Sequence, residues 1–435
     1  MDTGAIFNPE RECMPRREIE QLQLEKLQAT ISRVYRNVQF YRRRFDELGL
    51  APEDFDSLDS LCKLPFTTKE DLRRAYPYEM FALPLREVVR IHSSSGTTGQ
   101  PIVVGYTKND LEDWTELVAR NLVAGGITRD DVVQIFFGYG LFSGGFGLHQ
   151  GAERVGASVI PVSSADIEHQ VKIMQDFRTT ALVGLPSYAL QIARALKQLN
   201  VTPGSLCLRV GLFGGEPWSE ETRRQIEEHL HIRATDIYGL AELGGPGVSG
   251  ECAYRCGLHI AEDHFIAEVV DPATGEPLPA GQEGELVFTT VSKEAFPVIR
   301  YRTGDVGSLT LEPCACGRTL ARMSRVQRRT DEMFIIHGEN VYPQDIAEVL
   351  AQVQGVGQHF RAIIDRVEGE DVLEVQVELA SVLEGDTIRS IERIEREVTD
   401  RLQRRLGFDL TVSVAEPGSF SRGEKTARII DRRRL

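Results

Sequence analysis

Ser93-Ser94-Ser95-Gly96-Thr97-Thr98-Gly99-Gln100-Pro101 is a run of hydroxyls and glycines between two β-branched segments, Glu87-Val88-Val89-Arg90-Ile91-His92 and Ile102-Val103-Val104-Gly105-Tyr106-Thr107. The flanks read as strands, so the run between them is a polar loop held on rigid edges. Glycine lets a backbone curl around an anion, which points successive N–H groups at phosphate oxygens while the hydroxyls add further donors. The same composition also serves an ordinary hairpin connection. A Walker A loop fits worse: there is no Gly-Lys-Ser/Thr at the required spacing, and a strand follows instead of a helix. What decides between a triphosphate cradle and a solvated hairpin is the sequence around the loop.

Downstream, from about Leu111 to Leu230, short apolar runs alternate with helical patterns: Val132–Phe137, Ser158–Val162, Ala181–Gly184 and Val210–Phe213. Fully apolar strands between helices predict a parallel sheet covered on both faces. Ligands of such sheets lie beyond the carboxyl ends of the strands, where Gly138-Tyr139-Gly140, Pro186-Ser187-Tyr188 and Gly214-Gly215-Glu216-Pro217 fall. Upstream, Arg16 to Leu48 predicts two amphipathic helices, with Arg42-Arg43-Arg44 as a solvated face, and Thr67 or Thr68 caps a helix that follows Pro65. After Tyr238 the chain turns rich in glycine and strand residues, with Phe265–Asp271 and Gly284–Thr290 flanking the turn Asp271–Gly275, and a small β subdomain is expected. Beyond Arg329-Thr330-Asp331 a helix near Pro343–Gln354, strands Arg361–Asp365 and Leu373–Leu379, and a charged helix Ile388–Leu406 form an α/β unit of their own. The expected organisation is two domains, 1–328 and 329–435, hinged at Arg329–Asp331.

A chain of 435 residues is too long for one ordinary core, and 41% hydrophobic with 26% charged residues describes a globular protein. A net charge of -15 argues against nucleic acid as a partner, so an anionic substrate must be met by local Arg, Lys or backbone donors. Met1-Asp2-Thr3-Gly4 lacks the basic-then-apolar pattern of a signal peptide, and no run approaches the roughly eighteen apolar residues of a membrane span; a cytoplasmic enzyme without a membrane partner is expected. Seven cysteines, an odd number, speak against a disulfide framework. Cys252-x3-Cys256-x2-His259 and Cys314-x-Cys316 supply the thiolate and imidazole donors that tetrahedral Zn²⁺ takes, with five candidates for four positions.

Four further stretches carry chemistry. They are Asp236-Ile237-Tyr238-Gly239-Leu240-Ala241-Glu242, Tyr301-Arg302-Thr303-Gly304-Asp305, the run from Arg329 through His337-Gly338-Glu339-Asn340 to Pro343, and Ser421-Arg422-Gly423-Glu424-Lys425-Thr426-Ala427-Arg428. Taken singly, each also reads as a strand end, a polar turn or a solvated tail. Together with the opening loop they stand in the order found in adenylate-forming enzymes, the superfamily of acyl-CoA synthetases. Nearly the whole chain resembles the phenylacetate–CoA ligase branch, including Phe137-Gly138-Tyr139-Gly140-Leu141-Phe142-Ser143-Gly144-Gly145 and Thr289–Pro297.

The resemblance implies a large N-terminal adenylate-forming α/β domain with helix-covered parallel sheets and a β subdomain, followed by a small mobile C-terminal α/β domain. It implies that Ser93, Ser94, Ser95, Gly96, Thr97, Thr98 and Gly99 bind phosphate. Gly215, Glu216, Pro217, Asp236, Ile237, Tyr238, Asp305 and Arg329 would bind the nucleotide, Tyr238 by stacking on adenine and Asp305 by accepting the ribose diol. Glu242 would hold Mg²⁺ with the substrate phosphates. Tyr139, Phe142, Gly214, Gly215 and Ile237 would line a flat aryl-acid pocket. Asp331 would be the hinge, Gly338 and Asn340 would line a CoA tunnel, and Lys425 would be the catalytic lysine bridging carboxylate and α-phosphate. Among the metal candidates the resemblance favours Cys252, His259, Cys314 and Cys316 as a structural zinc site. The sequence departs from the family pattern at Ala241, where a threonine is usual, and at His337 and Glu339.

The expected activity is that of an ATP-dependent aryl-acid–CoA ligase working through an acyl-adenylate, with phenylacetate as the expected acid. ATP, Mg²⁺, CoA and structural Zn²⁺ would be its cofactors and cosubstrates, and a homodimer its assembly. Alternatives are a ligase for another aryl acid, adenylyl transfer to a deazaflavin hydroxyl, and a non-catalytic scaffold, the last disfavoured by the presence of Glu242 and Lys425.

Overall fold

The computed structural model describes residues 5–94, 100–141, 143–163, 166–326, 328–330, 334–341, 343–381, 387–420 and 429–433. Ser95 to Gly99, Phe142, Asp331, Lys425 and the side chain of Asn340 lie outside the described residues. The chain divides into two compact units, one running to Thr330 and the other comprising the described residues that follow.

The first unit is built on a nine-stranded sheet. Five of its strands run parallel, in the spatial order Arg233–Leu240, Val210–Gly214, Ala181–Gly184, Val132–Ile135, Ser158–Ile160. Every residue of Ala181–Gly184 and Val210–Gly214 is buried. Because side chains alternate along a strand, Ala181, Val183, Val210 and Leu212 enter one apolar cluster while Leu182 and Phe213 enter another, so both faces are covered as predicted. The intervening helices Gly144–Val155, Ile167–Asp176, Pro186–Gln198 and Glu220–Leu230 supply that cover.

Past Tyr238 the expectation of a separate β subdomain is only partly met. Arg233–Leu240 turns back through Ala241–Leu243 and two glycines at positive φ, Gly244 (108°) and Gly245 (98°), into the antiparallel strand Gly245–Glu251. Leu258–Ile260, Arg322–Met323 and Leu309–Thr310 continue the main sheet from there. The separate sheet is the four-stranded one formed by Phe265–Val270, Gly284–Thr290, Tyr301–Gly307 and Arg328–Arg329.

Near the N-terminus the two helices fall where periodicity places them, Arg16–Asn37 and Gln39–Leu48, separated by buried Val38. Thr68 caps Lys69–Arg74 and exchanges hydrogen bonds with Asp71. Arg42 and Arg43 are exposed, but Arg44 is not the solvated residue expected: its guanidinium packs over Phe40 at 4.3 Å and pairs with Asp71 at 3.1 Å. The strand before the Ser93–Pro101 stretch is also shorter than its β-branched run. Leu85–Glu87 forms a 3₁₀ turn, and only Arg90–Ser93 pairs antiparallel with Val103–Tyr106.

The second unit pairs Phe334–Ile336 with Glu339–Val341 through a tight turn in which His337 (φ 50°) and Gly338 (φ 80°) are left-handed. Helices Pro343–Leu350 and Thr387–Leu406 pack on a four-stranded sheet of Thr411–Ala415, Glu370–Leu379, Val356–Val367 and Ile429–Asp431. Its core includes Ile346, Leu350, Ile364, Val375 and Val398. No helix among the described residues is long and apolar enough to cross a membrane.

Candidate active site

The loops at the carboxyl ends of the parallel strands are tied to one another. Gly214 lies beside Ile237 in parallel register, and a Cβ there would come within 2.0 Å of the Ile237 carbonyl oxygen, so only glycine allows the approach. Gly215 is left-handed at φ 85°, with Phe137 and Leu185 against it. The Glu216 carboxylate accepts the N–H of Ser187 at 2.7 Å, which joins the Gly214–Pro217 loop to the start of the helix Pro186–Gln198. Ile237 and Phe137 are buried in the main core cluster, and Tyr139, Leu185 and Tyr238 pack against it.

Asp236 has its carboxylate turned to Arg325, which donates at 2.9 Å and lies over the Trp218 ring at 4.5 Å. Burial pushes this carboxyl up to about 6 in spite of Arg325. Neither Arg325 nor Trp218 belongs to any motif, so sequence reading passes over both. Their only signal is position, Arg325 just ahead of the Arg329 stretch and Trp218 directly after Pro217.

Tyr238 donates its hydroxyl to Asp305 at 2.7 Å and stacks on Phe288 with the rings 30° apart. Burial, followed by the Asp305 charge, holds the phenol well above its ordinary range. Arg329 donates to the other oxygen of Asp305 and, at 2.9 Å, to the Thr303 carbonyl. Three residues predicted separately from different motifs thus form one cluster, with the carboxylate plane fixed from both sides.

Glu242 sits in the 3₁₀ turn Ala241–Leu243 and is 6% exposed; among the described residues its carboxylate has no hydrogen bond or ion pair. A buried carboxylate without a cationic partner suits a hard divalent ion shared with phosphate oxygens. At the loop mouth, the Ser93 N–H donates to the Leu141 carbonyl (3.1 Å), and Ser94 bonds with Ile102 through both its N–H and its hydroxyl. The Tyr139 hydroxyl lies 3.3 Å from His149 Nδ1, which is followed by Glu153 at 3.1 Å from Nε2, and burial raises the phenol to about 12. Gly338 occupies its hairpin turn, and Asn340 pairs through its backbone with Ile335.

Away from this site, Cys252, His259, Cys314 and Cys316 are all buried, with their ligand atoms within 4.8 Å of one another. A tetrahedral zinc with arms of about 2.3 Å to sulfur and about 2.0 Å to nitrogen requires edges of roughly 3.8 Å between sulfurs and roughly 3.5 Å between sulfur and nitrogen. The Cys252–Cys314 sulfurs stand 3.8 Å apart and Cys316 Sγ stands 3.5 Å from His259 Nε2, so the donor set fits zinc in type and in size. Cys316 is drawn below the ordinary thiol range chiefly by Cys252 donating to it, against the effect of burial, with His259 and Arg318 acting in the same direction. Cys256, the fifth candidate, is exposed and outside the converging set, although its sulfur reaches Cys314 at 3.4 Å.

Comparison with known proteins shows the family. Residues 17–292 match the AMP-binding enzyme family, and residues 338–433 match the AMP-binding enzyme C-terminal domain. The phenylacetate–coenzyme A ligase of Thermus thermophilus is 44% identical across 99% of this chain and 100% of its own length. That of Escherichia coli is 43% identical across 96% of both. Among solved structures, 2-hydroxyisobutyryl-CoA ligase in complex with 2-HIB-AMP and CoA superimposes with a TM-score of 0.91 at 29% identity, covering 100% of this chain and 95% of that one. The chain belongs to the AMP-binding enzyme family, among its phenylacetate–coenzyme A ligases.

Proposed function

We propose that the chain joins an aryl acid, phenylacetate first among them, to coenzyme A in two steps. In the first, a carboxylate oxygen of the acid attacks the α-phosphorus of ATP; the new O–P bond gives an acyl-adenylate and the old one leaves with pyrophosphate. In the second, the CoA thiolate attacks the acyl carbonyl carbon and AMP departs with the carboxyl oxygen. The observation that supports this reading is the Tyr238–Asp305–Arg329 cluster, in which a buried carboxylate is held by a phenol on one oxygen and a guanidinium on the other.

In this reading Asp305 accepts the ribose hydroxyls, with its carboxylate oriented by Tyr238 and Arg329. Tyr238 turns its ring to adenine. Glu242 holds Mg²⁺, which when bound neutralises phosphate charge in the departing pyrophosphate. Ser93 and Ser94 open the phosphate loop that Ser95–Gly99 completes. Tyr139, Phe142, Gly214, Gly215 and Ile237 are assigned to the aryl-acid pocket. Lys425 serves the first step and Gly338 with Asn340 the second, exchanged by rotation at Asp331. Cys252, His259, Cys314 and Cys316 hold a structural zinc with no part in the chemistry. The test is pyrophosphate release across a panel of aryl acids, with and without CoA. The expected result is acid-dependent release, highest with phenylacetate; release that ignores the acid and follows a deazaflavin alcohol would replace this reading with adenylyl transfer to a hydroxyl.

A further inference from the structure

The strand Arg90–Ser93 is fastened to the chain segment that carries Tyr139. Arg90 donates to the Gln150 side chain at 2.8 Å, and its guanidinium lies over the Phe146 ring at 5.5 Å. Both partners belong to the helix Gly144–Val155. Two residues on, His92 is 3% exposed and set in an aromatic cage of Tyr106, Trp114 and Phe146, with ring centroids 5.5 Å, 5.9 Å and 5.7 Å away. Phe146 in turn meets the Tyr139 ring edge to face at 5.4 Å.

The Leu141 carbonyl closes the connection. It accepts the Ser93 N–H at 3.1 Å and faces His92 Nδ1 at 3.0 Å. A carbonyl oxygen only accepts, so Nδ1 carries the proton. Burial lowers the pKa of the ring, with Arg90 and Lys293 acting the same way against the Leu141 contact, so the imidazole is neutral and Nε2 keeps a lone pair. Both acceptor positions of the Leu141 oxygen are then engaged. The Leu141 side chain is 66% exposed, so what is held here is the backbone.

Nε2 has no hydrogen-bond partner among the described residues, and a phenylalanine would fill the same cage without burying ring nitrogens. The contact that phenylalanine could not make is the one to Leu141. We propose that His92 is a positioning residue that couples the two halves of the site: by holding the Leu141 backbone to the Ser93 strand, it makes the binding of the aryl acid and of MgATP reinforce each other. This coupling rests on the assignments made above, the acid to Tyr139 and Phe142 and the phosphates to residues 93–99. A ligand that draws one segment into its bound position draws the other with it, and the gain is the same whichever ligand binds first.

The test uses the full chain with Mg²⁺ and α,β-methylene-ATP, an analogue that cannot release pyrophosphate. Isothermal titration calorimetry gives the phenylacetate Kd with and without this nucleotide for the wild type, His92→Phe, His92→Asn and His92→Gln. The wild type should bind phenylacetate at least about fivefold more tightly when the nucleotide is present. His92→Phe, which keeps the aromatic packing, should lose that factor while binding phenylacetate alone as the wild type does. Asparagine, whose amide N–H can stand where Nδ1–H stood, should restore most of the factor, and glutamine, which reaches the Nε2 position, should not. Coupling retained in His92→Phe, or absent from a wild type that binds both ligands, overturns the proposal. Equal coupling in the asparagine and glutamine variants overturns it as well, a comparison that decides the matter even where His92→Phe does not fold. Failure of all three variants to fold would overturn it in favour of a structural histidine. A wild type that binds neither ligand would instead remove the reading of the site itself, so the two failures are distinct.

Discussion

Two polar clusters of the first unit solve opposite problems. At Asp305 the chain supplies its own balance: a buried carboxylate takes a hydroxyl from Tyr238 on one oxygen and a guanidinium from Arg329 on the other, and stands ready without any ligand. At Cys252, His259, Cys314 and Cys316 three sulfurs and an imidazole converge within 4.8 Å, and the neighbouring cation, Arg318, reaches one sulfur at 3.6 Å while itself paired with Glu12. On the proposed reading, the first arrangement is preorganised for a nucleotide that comes and goes. On the same reading, the second would close two loops, after Glu251 and around Pro313–Gly317, around a cation that stays.

The largest effect should come from breaking the sulfur cluster. Cys314→Ser should strip the protein of close to one zinc per chain and lower its melting temperature by several degrees, since structural zinc contributes on the order of 10 kcal/mol in small domains. The KM for ATP of the protein that remains folded should not change; a changed KM with unchanged metal content would erase the division between the clusters. Next in size is Lys425→Ala. It should slow acyl-adenylate formation by about 10²–10³, with zinc content, melting temperature and thioester formation from supplied phenylacetyl-adenylate preserved. Equal loss in both half-reactions would argue for one static site.

Smaller changes probe the ribose side. Asp305→Asn removes the charge from a carboxylate that accepts from Tyr238 and Arg329 and should raise the KM for ATP by about 10–100-fold, in line with roughly 1.5–3 kcal/mol for hydrogen bonds to charged groups. Tyr238→Phe removes one hydrogen bond worth about 1 kcal/mol and should raise it about fivefold. Both variants should retain zinc. If either lost metal or melted like Cys314→Ser, the two clusters would be one structural unit.

The parallel half of the main sheet was legible because its strands are apolar on both faces, and Ala181–Gly184 cannot be read as a half-exposed strand. The antiparallel half was not, because Gly245–Glu251 is mostly glycine and polar residues; its strand character comes from pairing with Arg233–Leu240 and not from its own pattern. The same limit applies at the sites. Tyr238, Asp305 and Cys314 sit in motifs whose spacing carries chemistry. Arg325 and Trp218 act through contacts with Asp236 and with each other that join positions far apart in the chain.

The central claim is that one site makes an acyl-adenylate and then spends it on a thiol. The most direct measurement is a rapid-quench turnover with enzyme in excess over phenylacetate, started with MgATP and chased with CoA. The account predicts phenylacetyl-adenylate and pyrophosphate in equal amounts before the chase, then conversion of that adenylate to phenylacetyl-CoA and AMP on adding the thiol. Phenylacetyl-CoA formed on addition of CoA with no adenylate detectable beforehand, or an adenylate that CoA leaves untouched, would contradict it.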